Sequence, residues 1–189
     1  MITPETLLSK IAKILEVLKI PYAVTGGMAV AAWGKPRYTA DIDIIVELSP
    51  QKLPLLSKKL LSLDKDVYVS QEAMIEALEK KGEFNFIHPQ TGLKVDFWVK
   101  GGRVDIYGKL KLERKIAKKI DKQKIFFVSP EDLVLSKLIW YKESKSSRHL
   151  EDIKTVLDIQ KNKLDLNYIK NWAVQQSTIK ILNEILKSS

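Results

Sequence analysis

The sequence predicts an α/β domain: a mixed β-sheet flanked by helices, with C-terminal helices from about residue 130. Three observations carry that expectation. Short β-branched runs alternate with amphipathic stretches through the first two thirds of the 189 residues. FNFIHPQTGLKVDFWVK (84–100) reads as two strands joined by a turn around Pro89 to Gly92. SPEDLVLSKLIWYKES (129–144) opens on a serine, a proline and two acids, a helix start after which the pattern stays helical.

Taken in order, Thr3 is an N-cap with Pro4 at the first helical position. Leu7, Leu8, Ile11, Ile14, Leu15 and Leu18 form one apolar stripe, and Pro21 ends that helix. Residues 22–25 (YAVT) read as a buried strand, Gly26-Gly27 as a tight turn, and 28–34 as a short helix closed by Gly34. A loop over 35–40 leads to a strand at 41–48. Ser49 is expected to cap a helix near 50–63, with another at 71–81. After the hairpin comes a loop at Gly101-Gly102, and 104–120 fits helix or strand. A strand at 124–129 precedes the helix at 130–144, and 147–189 is helical with breaks near Lys163 and Ser177. The expected division is a main domain over 1–129 and a helical region over 130–189 packed on it.

Composition removes several classes of function. Without cysteine there is no disulfide, thiolate metal site or thiol nucleophile. His88 and His149 are the only histidines, too few for a histidine-rich zinc site, so any metal is a hard cation held by carboxylates. No apolar run approaches the roughly 20 residues of a membrane span. Lys10, Lys13 and Lys19 interrupt the N-terminal segment at helical spacing, so it reads as an amphipathic helix, with a cytoplasmic protein and no membrane partner expected. A net charge of +9 favours polyanions such as RNA or nucleotide phosphates, but equally fits general lysine richness.

Chemistry concentrates in VTGGMAVAAWGKPRYTADIDIIVE (24–47). On a strand, residues two apart share a face at about 7 Å. Asp41 and Asp43 therefore lie together while Ile42, Ile44 and Val46 face the core. Two adjacent carboxylates repel unless a cation neutralises them. The alternative is an Asp41 loop cap and an Asp43–lysine pair. Asp96 lies mid-strand, opposite in facing to Val95, Phe97 and Val99, where an unpaired aspartate is costly. If its strand lies beside 41–47, three carboxylates converge, the donor set of a two-Mg²⁺ phosphoryl-transfer site. The alternative is an Asp96 bonded to a lysine or a backbone amide. Gly26-Gly27, between a strand and a short helix, allows close backbone approach to a phosphate at a helix N-terminus.

Together, TGG…PRYTADID resembles the signature of the nucleotidyltransferase superfamily with the DNA polymerase β-like fold. The form is a glycine pair, an interval (here residues 28–40), Asp-x-Asp, and a third carboxylate on a later strand. The downstream VSPEDLVLSKLIWYKES and RHLEDI are similar to a small stand-alone prokaryotic branch, which includes abortive-infection nucleotidyltransferases of toxin–antitoxin systems. The resemblance spans roughly 20–160. It implies a nucleotidyltransferase fold, with NMP transfer from an NTP to a hydroxyl and release of pyrophosphate. Asp41, Asp43 and Asp96 are then catalytic and hold Mg²⁺ (or Mn²⁺), while Thr25, Gly26, Gly27, Arg37 and Lys137 hold the triphosphate. Tyr38 and Tyr141 are expected to pack rather than stack on a base. Glu151 and Asp152 read as first-turn compensation of a helix dipole. Implied acceptors or partners are RNA such as tRNA, a partner toxin or antitoxin protein, or a small molecule. The rival readings are a non-catalytic nucleotide-binding or interaction module and a basic RNA-binding adapter.

Overall fold

A computed structural model describes residues 2–100, 106–120 and 123–188. The elements are α1 (Pro4–Val17), β1 (Tyr22–Thr25), α2 (Gly26–Trp33), β2 (Asp41–Val46), α3 (Leu53–Leu61), β3 (Tyr68–Val69), α4 (Gln71–Lys80), β4 (Glu83–His88), β5 (Leu93–Val99), α5 (Ile106–Glu113), β6 (Ile116–Ile120), β7 (Gln123–Phe127), α6 (Pro130–Ser144), α7 (Ser147–Gln160), α8 (Leu166–Gln175) and α9 (Ile179–Ser188). The strands form one mixed sheet in the order β3-β4-β5-β2-β1-β7-β6, with β2–β5 and β1–β7 parallel and the other pairs antiparallel. No helix among the described residues is long and apolar enough to cross a membrane.

Several expectations shift for physical reasons. Helix α1 ends at Val17, ahead of Pro21, because Lys19 turns left-handed (φ 52°) and Ile20 N–H bonds back to the Leu15 carbonyl. Helix α3 starts at Leu53, since residues 49–52 close a separate turn through Lys52 N–H to the Ser49 carbonyl. Gly26-Gly27 is the first turn of α2 rather than a turn before it. The 104–120 region resolves into α5 and β6, while Gly101-Gly102 and residues 104–105 lie outside the described residues. Ser129 caps α6 as expected, accepting from Asp132 N–H.

The chain divides into two compact units, one of Met1–Met28 with Tyr38–Val128 and one of Ala29–Arg37 with Ser129–Ser189. In the first, Val24, Ile44 and Phe97 are cross-strand neighbours with no exposure on one sheet face, and Phe84 next to them is also buried. Phe84 and Phe97 stack at 4.8 Å. Helix α1 packs on this unit through Leu7, Leu8, Ile11 and Leu15, and Tyr22 donates to Glu16 on that helix. Desolvation, the nearby Glu16 charge and this bond push the Tyr22 hydroxyl far above its ordinary pKa, so it stays protonated.

In the second unit α6 is the central helix, packed against α7, α8 and α9. Asp132 at its start is fully buried, yet it accepts from Ser129 Oγ at 3.0 Å and from Tyr168 Oη at 2.8 Å. Residues 33–37 belong to this unit because α7 grips them. Gln160 donates to the Trp33 carbonyl, Lys35 N–H donates to Thr155 Oγ1, and a Cβ on Gly34 would sit 3.0 Å from a Thr155 methyl.

Candidate functional site

The opposite sheet face carries the candidate carboxylates. In register, Thr25 lies opposite Asp43, Asp43 beside Asp96, and Asp96 opposite Asn85. Cross-strand neighbours share a face about 5 Å apart, so β1, β2, β5 and β4 contribute one continuous polar row. Asp41 stands in the next row, beside Lys94. The parallel pairing of β2 with β5 on which the three-aspartate reading depended is thus present.

Asp43 is the most constrained of the three. Trp98 Nε1–H donates to its Oδ1 at 3.4 Å, and its Oδ2 lies so close to Gly26 that a Cβ there would come within 1.8 Å. Gly26 also has φ +61°, a backbone state costly for any other residue. It is therefore required twice, once for its backbone and once to admit the carboxylate. Gly27 faces Thr39 in the same way: a Cβ would lie 2.7 Å from Thr39 Oγ1, which donates to the Asp41 carbonyl.

Asp96 is held by Lys94, Nζ to Oδ2 at 2.9 Å. The hydrogen bond to Asp96 is the main reason the Lys94 ammonium titrates above its ordinary value; burial opposes it, and the charges of Asp96, Asp41 and Glu83 reinforce it. Lys94 thus acts as counter-ion to the carboxylate face. Among the described residues no three acidic or histidine side chains are gathered as a ready cation site. The donor chemistry of Asp41 and Asp43, hard oxygens on one face, nevertheless fits Mg²⁺.

Arg37 and Lys137 are found together in the second unit, both on Asp152. Arg37 forms a bidentate pair, Nε to Oδ1 at 2.8 Å and Nη2 to Oδ2 at 2.9 Å, and Lys137 Nζ reaches Oδ2 at 2.8 Å. Asp152 is 2% exposed and Lys137 7%. Burial raises the carboxyl's pKa, but the bonds and charges of Arg37 and Lys137 outweigh it and hold Asp152 below the ordinary carboxylate value. The first-turn reading of Glu151 and Asp152 is corrected here, since α7 starts at Ser147 and has no acid in its first turn. The sequence reading left Asp152 outside the candidate site, because its partners Arg37 and Lys137 lie far from it along the chain. His149 titrates below its ordinary value through burial and then the charge of Lys137, so it is neutral near pH 7.

A cleft of about 520 Å³ in this unit is lined by Lys35, Pro36, Arg37, Asp152 and Asp158, among others. Tyr38 does not pack as expected, being 82% exposed; Tyr141 is half-buried beneath Lys145 Nζ at 5.6 Å.

Solved structures share this arrangement of the chain. An antigenic nucleotidyltransferase-like protein from Paracoccidioides brasiliensis is 20% identical, with a TM-score of 0.56 over 97% of this chain and 91% of its own. ANT(2")-Ia in complex with adenylyl-2"-tobramycin is 14% identical, with a TM-score of 0.64 over 94% and 98%. The chain has the nucleotidyltransferase fold. A third similar structure, the lincomycin-bound lincosamide antibiotic adenylyltransferase LnuA, is 17% identical, with a TM-score of 0.56 over 84% of this chain and 98% of that one. No family model and no curated protein matches the sequence.

Proposed function

We propose that the protein is a nucleotidyltransferase that moves NMP from an NTP to a hydroxyl acceptor, with Asp41, Asp43 and Asp96 at its reacting centre. The observation that carries the reading is the row Thr25–Asp43–Asp96, with the Asp43 carboxylate seated on Gly26. Asp41 and Asp43 are the residues that would hold a divalent cation, with Asp96 contributing to the set. Such an ion, when bound, supplies charge neutralisation of the triphosphate. Thr25, Gly26 and Gly27, at the strand end and the opening turn of α2, offer backbone N–H groups to phosphate oxygens. Asp96 takes the proton of the acceptor hydroxyl. The hydroxyl oxygen then bonds to the α-phosphorus, the bond from that phosphorus to its bridging oxygen breaks, and pyrophosphate leaves. Arg37 and Lys137 enter the proposal as phosphate-binding cations and Asp152 as the residue that positions them.

The Lys94–Asp96 ion pair favours a second reading, a nucleotide-binding module that does not transfer. One assay separates the two. The protein is incubated with Mg²⁺, each NTP, and pools of RNA, protein or small hydroxylated compounds, and pyrophosphate and NMP adducts are measured. Transfer is expected, with a loss of at least about a thousandfold, roughly 4 kcal/mol, in Asp41→Asn/Asp43→Asn. NTP binding without pyrophosphate from any pool supports the second reading. Transfer unchanged in the double variant contradicts the first.

A further inference from the structure

Positive charge is concentrated in the stretch of sequence that includes the outer strand pair β6–β7. Between Lys109 and Lys124 the sequence carries eight Lys and Arg residues against two acids, a net +6 out of +9 for the whole chain. Of these, Lys118 and Lys119 lie on the outermost strand β6, Lys124 on its partner β7, Lys109 and Lys111 on α5, and Arg114 and Lys115 in the link between α5 and β6. In the β6–β7 ladder Lys119 is directly opposite Lys124, and Ala117 opposite Phe126, so alternation sets Lys119, Lys124 and Phe126 on one face. Like charges directly opposite destabilise a ladder, and here both lysines are exposed. Lys115 Nζ and Lys124 Nζ lie 4.6 and 5.2 Å from the half-buried Phe126 ring, and Lys111 Nζ lies 4.3 Å from the Tyr107 ring. Cation–π contacts restrict these long side chains, which lowers the entropy lost when they bind an anion. Lysine on an edge strand guards against strand-to-strand aggregation. That purpose accounts for lysines on β6 but not for Lys111, Lys115 and Lys124, which lie off it.

We propose that this edge, centred on Lys115, Lys119 and Lys124, is a binding surface for nucleic acid that engages the phosphodiester backbone. Compact ammonium groups at this density match a ligand carrying a charge every few ångströms, as a nucleic-acid strand does. The proposal rests on the charge distribution and stands apart from the transfer reaction.

The test is fluorescence anisotropy with labelled single-stranded RNA and DNA, without Mg²⁺ or NTP, over a range of salt. Lys115→Gln/Lys119→Gln/Lys124→Gln is expected to bind at least about tenfold more weakly and to flatten the log K against log salt slope by about 2. Lys13→Gln/Lys58→Gln/Lys59→Gln removes the same charge from exposed helical positions and is expected to stay within about twofold of the parent. Thermal melts verify that both variants fold. Equal binding of RNA and DNA supports a backbone ligand, and stronger RNA binding supports a ribose-bearing one. Equal weakening by the two triple variants, no weakening by the first, or competition by polyglutamate as effective as by oligonucleotide overturns the proposal. Asp41→Asn/Asp43→Asn must leave this binding unchanged, so loss of transfer and loss of nucleic-acid binding are read separately.

Discussion

Two aspartates with lysine partners sit in this chain under opposite conditions. The Lys94–Asp96 pair is partly exposed, 40% at the lysine side chain and 14% at the aspartate. In the Asp152 knot the carboxylate is 2% exposed and is shared by a guanidinium 26% exposed and an ammonium 8% exposed. In the first case water screens the attraction and the partners are exchangeable, which suits a carboxylate meant to meet a substrate. In the second, removing one partner strands buried charge, which suits a device that fixes the positions of the other two. The two pairs differ most at the lysine, 40% exposed in one and 8% in the other.

Breaking the buried knot is expected to have the largest effect on stability. Asp152→Ala leaves two cations uncompensated and is predicted to cost about 3–5 kcal/mol in urea unfolding. Replacing Asp152, Arg37 and Lys137 together with apolar residues of similar size should recover much of that loss. A loss below about 1 kcal/mol for Asp152→Ala would show that the knot does not hold its cations in place. Gly26→Ala comes next, at about 1–3 kcal/mol, because the residue must take a positive φ and displace the Asp43 carboxylate. A melt like the parent's would mean Asp43 moves aside freely.

The pH dependence is a smaller effect with a fixed sign. Asp152 titrates below its unfolded value of 3.8, so its contribution is complete above that pH and is lost as pH falls through the lower folded value. Unfolding midpoints taken from about pH 6 to about pH 2 should show an acid-side loss that is absent in Asp152→Asn. Smallest of all, Lys94→Gln is expected to change stability by under about 1 kcal/mol. A larger cost would show that the exposed pair is structural, and would favour the module that binds without transfer.

The sequence made the sheet face legible because strand alternation is a local rule. Asp41, Asp43 and Asp96 each sit between apolar residues, so their facing follows from their neighbours alone. The pairing of β2 with β5 is non-local, and appeared only as a condition. Lys94 was visible two residues from Asp96, on the same side, yet its bond to the carboxylate depends on a rotamer that spacing does not fix. Asp152 was harder still. Its partners lie 115 positions earlier in Arg37 and on the preceding helix in Lys137, and nothing local distinguishes a buried acid on α7 from a solvated one. The two-residue β3 and the left-handed Lys19 leave no composition signal, because the backbone of packed neighbours imposes them.

The proposed transfer depends on the Asp41–Asp43 face binding a cation and a triphosphate together. Calorimetric titration of each NTP with and without Mg²⁺, on the parent and on Asp41→Asn/Asp43→Asn, tests it most directly. Mg²⁺ is predicted to tighten binding of at least one NTP to the parent by about tenfold or more, roughly 1.4 kcal/mol, and to do nothing for the folded double variant. The same Mg²⁺ dependence in both proteins would contradict it.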